Sequence, residues 1–126
     1  MRLTHVRLLV NDYRAMLSFY RDTLGLQVGF DDGENFAEVK AGEAEISLFV
    51  RHGMADALDG LRSGEGDRAV LIFHVDDVGA TYRRLSSRDV NFVTPPKDMA
   101  EWGIRIALFR DPEGNLVEIN QPLARG

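Results

Sequence analysis

The chain has 126 residues, 44% of them hydrophobic and 28% charged, a formal net charge of −5 and no cysteine. This is one domain's worth of material with enough apolar content to bury a core unaided, and without cysteine there is no disulfide, thiolate metal site or cysteine nucleophile. Net negative charge without a Lys/Arg run argues against nucleic acid as a partner. The longest apolar run near the N-terminus, Leu8-Leu9-Val10, falls far short of a signal peptide or the ~20 residues of a membrane span. A soluble, cytoplasmic protein with no membrane partner is the expectation.

In chain order, THVRLLV (Thr4 to Val10) alternates and is rich in β-branched residues, the pattern of a strand. It runs into Asn11-Asp12, both good helix N-caps. Tyr13 to Leu24 then carries Met16, Leu17, Phe19, Tyr20 and Leu24 at helical spacing until Gly25 stops it. LQVGF, NFAEVKA and AEISLFV follow as three short strands, with DDGE and AGE supplying the turns. The segment RHGMADALDGLRSGEGDR is glycine-rich, polar and charged, hence a linker in which MADALDGL forms one or two helical turns.

The same order then returns. AVLIFHV (Ala69 to Val75) reads as a strand, Asp76-Asp77 as its cap, and VGATYRRLSSR as a helix with Val78, Tyr82 and Leu85 along one side. VNFV is a further strand, TPPKDMAEWG a proline-bearing loop, GIRIALF a strand, DPEGN a turn and LVEINQ the last strand. Setting Val10-Asn11-Asp12 over Val75-Asp76-Asp77 gives an offset of 65 residues that holds through the helices. Such self-similarity is the signature of duplication. The expected fold is α+β: two tandem β-α-β-β-β modules, 1–51 and 69–122, joined by a linker over 52–68 within a single domain. One helix covers one face of each sheet, and two curved sheets side by side would enclose a cleft between their uncovered faces. In LVEINQ, Val117 and Ile119 alternate against Glu118 and Asn120, which puts the carboxylate on that uncovered face.

Several stretches resemble the vicinal oxygen chelate superfamily, which includes glyoxalase I, the bleomycin-resistance proteins and the extradiol dioxygenases. They are THVRLLVND, FYRDTLGLQV, FHVDDVGATYRRL and, above all, WGIRIALFRDPEGNLVEINQP. The resemblance spans essentially the whole chain and implies the fold, but no one activity within the family. It also implies four metal positions, on the first and last strand of each module. The first matches His5 and the last Glu118, both able to bind a metal. The repeat offset carries the third to Val70, which cannot bind one, and the remaining position falls on Ser47, a poor ligand at neutral pH. His74 shares a face with Val70 but lies ~13 Å along the strand, and Glu45 shares a face with Ser47 ~7 Å away; a shift of register would recruit Glu45.

With two of four ligand positions kept, the leading expectation is a protein that binds a small organic molecule, without a complete metal site and without a cofactor. The alternative is a metal-dependent lyase, isomerase or dioxygenase. Its Ni, Zn, Mn or Fe ion would sit on His5 and Glu118, completed by Glu45, water or substrate. Glu118 would serve as general base in a metal-free variant. His5 and Glu118 can equally be a buried polar pair that satisfy one another. Arg7 shares the face of His5 and either forks onto an anionic ligand or pairs with Glu118 or Glu38. Arg105 has the same two readings.

Trp102 in its loop is a ligand platform or a hydrophobic plug, His74 is an exposed strand residue or a cavity residue, and Asn120 adds an amide to the ligand-binding candidates. Phe36 and Phe109 are expected in the core, and His52 in solvent. Gly64 to Ala69 formally matches a dinucleotide fingerprint, but it precedes a strand and opens no helix. There is no phosphate-binding loop and no nucleophile elbow. Because relatives commonly pair modules across subunits, a homodimer is expected. A vestigial cleft in a protein that acts through a partner is the third reading.

Overall fold

The computed structural model describes residues 2–52, 67 and 69–124. The helical turns expected for MADALDGL, most of the linker and most of the GEGDRA stretch lie outside the described residues. The chain divides into two compact units, residues 1–65 and 66–126. No helix among the described residues is long and apolar enough to cross a membrane.

Module 1 consists of β1 (His5–Val10), α1 (Tyr13–Ser18), a π-helical turn (Phe19–Thr23), β2 (Val28–Asp31), β3 (Phe36–Ala41) and β4 (Ala44–Val50). Its sheet has the order β1-β4-β3-β2, with β1 parallel to β4 and the other pairs antiparallel. Asp12 caps α1, its side chain accepting from the Ala15 amide. The helical stretch expected from Tyr13 to Leu24 is thus split, α-helical to Ser18 and π-helical beyond, and Leu24 closes the wider turn on the Phe19 carbonyl. Gly25, at φ 77°, ends it as the sequence implies.

One face of the sheet takes the helix. Ladder partners Val10 and Val50, Leu48 and Ala37, and Ile46 and Val39 are all buried there, with Tyr13, Met16, Leu17 and Tyr20 as their cover. Side chains alternate along a strand, so the intervening residues line the opposite, helix-free face.

Tyr13 ties this core to the edge strand. It is buried, and its hydroxyl donates to Asp31 Oδ1 and lies 3.1 Å from the Phe36 carbonyl. The bond from Tyr13, then one from the Gly33 amide, holds the Asp31 carboxyl below its ordinary range, while burial and Asp31 push the Tyr13 phenol up. A group whose folded pKa is depressed contributes stability that is present above its unfolded pKa and lost as pH falls through the folded value. Tyr13→Phe is therefore expected to cost about 1–2 kcal/mol at pH 7. The gap from the parent should narrow below about pH 4. Urea unfolding at pH 7 and pH 3 checks this, and an equal gap at both would reject it.

Module 2 repeats the order with β5 (Val70–His74), α2 (Val78–Ser86), β6 (Asn91–Met99), β7 (Ile104–Arg110) and β8 (Leu116–Pro122), sheet order β5-β8-β7-β6. β5 runs parallel to β8. Asp77 caps α2 through the Ala80 amide, and Gln121 Oε1 accepts from the Val78 amide at 2.6 Å. Val78, Leu85, Ala107, Phe109, Val117 and Ile119 are buried on the helix side, where Tyr82, Phe92 and Phe109 form a chain of tilted ring contacts.

The expected loop TPPKDMAEWG is largely strand: β6 continues through Pro95 and Pro96 to Met99. Proline cannot donate to a ladder, so a strand tolerates it at a sheet edge or a bulge. β6 is the edge, and its pairing slips between Thr94 and Lys97, where both prolines fall. Only the turn from Ala100 to Gly103 remains of the loop, and Trp102 stands there 62% exposed.

Candidate functional site

The helix-free face of module 1 is ordered by its ladders. The β3–β4 hairpin turns on Gly42 and Glu43, with Gly42 at φ 69° and Ala41 paired to Ala44, as a two-residue loop with glycine first requires. That turn sets Lys40 beside Glu45, Glu38 beside Ser47 and Phe36 beside Phe49. On the other side of β4, the parallel register sets His5 beside Glu45, Arg7 beside Ser47 and Leu9 beside Phe49. Three rows result, ~7 Å apart along the strands: His5-Glu45-Lys40, Arg7-Ser47-Glu38 and Leu9-Phe49-Phe36. Phe30 of β2 extends the second row beside Glu38.

At the polar end, His5 Nε2 lies 2.8 Å from Glu38 Oε2 and 2.9 Å from Glu45 Oε2, and His5 Nδ1 lies 3.0 Å from Thr4 Oγ1. The hydrogen bond to His5, then that to Glu45, holds the Glu38 carboxyl below its ordinary range, with the charges of His5 and Arg7 acting in the same sense against burial. In the middle row Arg7 Nε donates to Ser47 Oγ at 3.2 Å, and the guanidinium carbon stands 5.5 Å from the Phe49 ring centre. Ser47 is fully buried beneath it. Phe36 is half-buried on this face and not in the core, in a row with Phe49 at 5.6 Å and Phe30 at 5.7 Å.

His5 thus finds its carboxylates on its own sheet. Glu45 needs no shift of register to reach it, because the parallel pairing of β1 with β4 already makes the two residues neighbours. The sequence alone does not single out Glu38 as a ligand. Its signal was the alternation of Phe36, Glu38 and Lys40 in NFAEVKA, but placing it near His5 requires the register of three strands.

On the helix-free face of module 2, β5 and β8 pair Val70 with Leu116, Ile72 with Glu118 and His74 with Asn120. Glu118 is half-buried and accepts from Asn120 Nδ2 at 3.2 Å. Val70 and Ile72 are 42% and 62% exposed, and His74 is exposed at the strand end. Arg105 does not share this face: alternation along β7 puts it on the helix side with Ala107 and Phe109, where it pairs with its ladder partner Asp98 at 2.5 Å and holds the Asp98 carboxyl below its usual range. By ladder position Ser47 corresponds to Glu118, Glu45 to Leu116, Glu38 to Leu108 and His5 to Val70.

The four-position metal set does not fit these residues. Val70 has no donor atom, and the Ser47 hydroxyl is buried and engaged by Arg7. Among the described residues, His5, Glu38 and Glu45 do bring ligand atoms to within 4.8 Å of one another.

Two β-α-β-β-β modules, each with a helix-free sheet face that carries polar groups, define a class of paired-module proteins. This chain belongs to the glyoxalase/bleomycin resistance protein/dioxygenase superfamily, whose family profile matches residues 2–119. It is 39% identical over 128 residues to the uncharacterized protein YraH of Bacillus subtilis (strain 168), covering 98% of this chain and 100% of that one. Among solved structures, a superfamily enzyme from Burkholderia phytofirmans PsJN superposes with a TM-score of 0.85 at 22% identity, over 98% of this chain and 100% of that one. A protein of unknown function from Agrobacterium tumefaciens str. C58 does so at 0.79 and 28% identity, over 98% and 95%.

Proposed function

We propose that the protein binds a small organic molecule on the helix-free face of the module 1 sheet, with a ring or other apolar body against Phe30, Phe36 and Phe49 and a polar group toward His5, Glu38, Glu45 and Arg7. The observation that carries this reading is a run of three aromatic rings, Phe49, Phe36 and Phe30, that adjoins a cluster of charged side chains on the same face. Binding sites combine such apolar walls with a few fixed polar groups that orient the ligand. Membership of a superfamily that includes small-molecule resistance proteins and enzymes supports it. A lyase, isomerase or dioxygenase acting on the same face would need an electrophile at the polar end.

The test is a thermal-shift screen of small aryl acids, aryl amines and oxygenated aromatics, followed by calorimetry on the compounds that stabilise the protein. Phe36→Ala and Phe49→Ala are each expected to weaken binding by about tenfold, the equivalent of ~1.4 kcal/mol for one lost ring contact. Undiminished affinity in both variants would remove this face from consideration.

A further inference from the structure

Three donor atoms meet on the module 1 sheet with too few hydrogens between them. An imidazole nitrogen carries at most one hydrogen, yet carboxylate oxygens of Glu38 and Glu45 stand 2.8 and 2.9 Å from the single atom His5 Nε2. Two carboxylates at such range repel unless a proton or a cation lies between them. Metal bonds of ~2.1 Å place two ligands at right angles ~3.0 Å apart. The His5 distances therefore match the edges of a six-coordinate ion. His5, Glu38 and Glu45 side chains are 42%, 25% and 30% exposed, which leaves the remaining coordination positions open to water or a ligand.

A second feature is independent of these donors. Gly29 lies on β2 at the slip in its pairing with β3, and a Cβ there would come within 3.3 Å of Glu45 Oε1 and 3.6 Å of the Glu38 carbonyl oxygen. Gly29 is not among the glycines with positive φ, so its backbone conformation does not demand glycine. Its small size keeps the flank of the Glu45 carboxylate clear.

We infer that His5, Glu38 and Glu45 form a divalent-cation site that lies wholly on the module 1 sheet, in place of the four positions shared between the modules of metal-using relatives. Glu38 and Glu45 take over from Ser47, and the site does without Val70 and Glu118. One imidazole with two carboxylates suits Mn(II), Fe(II), Ni(II) or Zn(II) better than the all-oxygen preference of Mg(II) or Ca(II). The site needs no organic ligand, so it can fail while the aromatic row still binds one, and the reverse.

The experiment titrates Mn(II) or Zn(II) into chelator-treated full-length protein, read by calorimetry and, for Mn(II), by the loss of free-ion signal in electron paramagnetic resonance. One ion per chain is expected. His5→Ala, Glu38→Gln and Glu45→Gln should each weaken it by at least about tenfold, the lower end of what disturbing even a ligand's outer partner does. Glu118→Gln should bind as the parent does. The glutamine variants are isosteric at partly exposed positions, and circular dichroism of the metal-free proteins checks that they fold. Absence of binding to the parent, unchanged binding in both Glu38→Gln and Glu45→Gln, or a comparable loss in Glu118→Gln would each overturn the inference.

Discussion

Phe109→Ala is expected to destabilise the protein by about 3–5 kcal/mol, the range for truncating a buried aromatic. Phe109 is fully buried on the helix side of module 2, between its ladder partners Phe92 and Val117, with the Phe92 ring 5.2 Å away and Tyr82 beyond it. Truncation removes the transfer energy of the ring and leaves a cavity whose β-sheet walls are held by ladder hydrogen bonds and collapse poorly. Against a typical domain stability of about 5–15 kcal/mol this is a large fraction. Phe109→Leu, which refills most of the volume, should cost roughly half or less. Urea unfolding of the parent and both variants decides it, and a loss under about 1.5 kcal/mol for the alanine variant would mean that the sheet and α2 close over the gap.

The duplicated fold was legible because its signals are local. Alternation marks the strands, Asp12 and Asp77 cap the helices they precede, and the glycines at 25, 42 and 114 sit at turns with positive φ. The start of β6 reads as a strand in VNFV, but its second half reads as a loop because two prolines forbid regular pairing, and their tolerance at an edge bulge depends on the sheet order, which no local pattern reveals. The candidate site shows the same boundary. His5 was legible, and so was the failure of Val70 and Ser47 as ligands. The partners of His5 were not, since they follow from which strand lies beside β1 and in what register. Measured along β4, Glu45 is two residues from the expected position; measured across the ladder, it is the neighbour of His5. Glu38 is one strand further away, within reach because long side chains on one face of a pleated sheet can span the strand between them.

The second large effect concerns a single carboxylate that shapes the turn before the last strand. Asp111 is 4% exposed, and its Oδ1 accepts from the Glu113 and Asn115 amides at 2.9 Å each, while Oδ2 accepts from Asn115 Nδ2 at 2.7 Å. Its own amide donates to the Asn115 carbonyl, and Gly114, at φ 90°, donates back to the Asp111 carbonyl. The side chain thus does inside the DPEGN turn what solvent would do outside it. Asp111→Ala takes the acceptor from three donors and removes the buried carboxylate around which the turn is folded. At ~1.5–3 kcal/mol for a hydrogen bond to a charged group, with strong non-additivity among bonds to one carboxylate, the expected loss is about 3 kcal/mol.

Asp111→Asn separates the contributions of the two oxygens. Its carbonyl can still accept from both backbone amides, but its own NH2 then faces Asn115 Nδ2, donor against donor. Asparagine should therefore keep the turn at an expected cost of about 1–2 kcal/mol, and Asp111→Asn combined with Asn115→Asp, which restores an acceptor opposite the new amide, should recover part of it. Arg110 bears on the same turn from outside, donating to the Gly114 carbonyl and to both oxygens of Asp67 at 2.8 Å. That ion pair is exposed and contributes little, so Arg110→Ala should cost clearly less than Asp111→Ala. If Arg110→Ala proved the more damaging, the turn would be held from the surface, and the buried carboxylate would be a passenger in it.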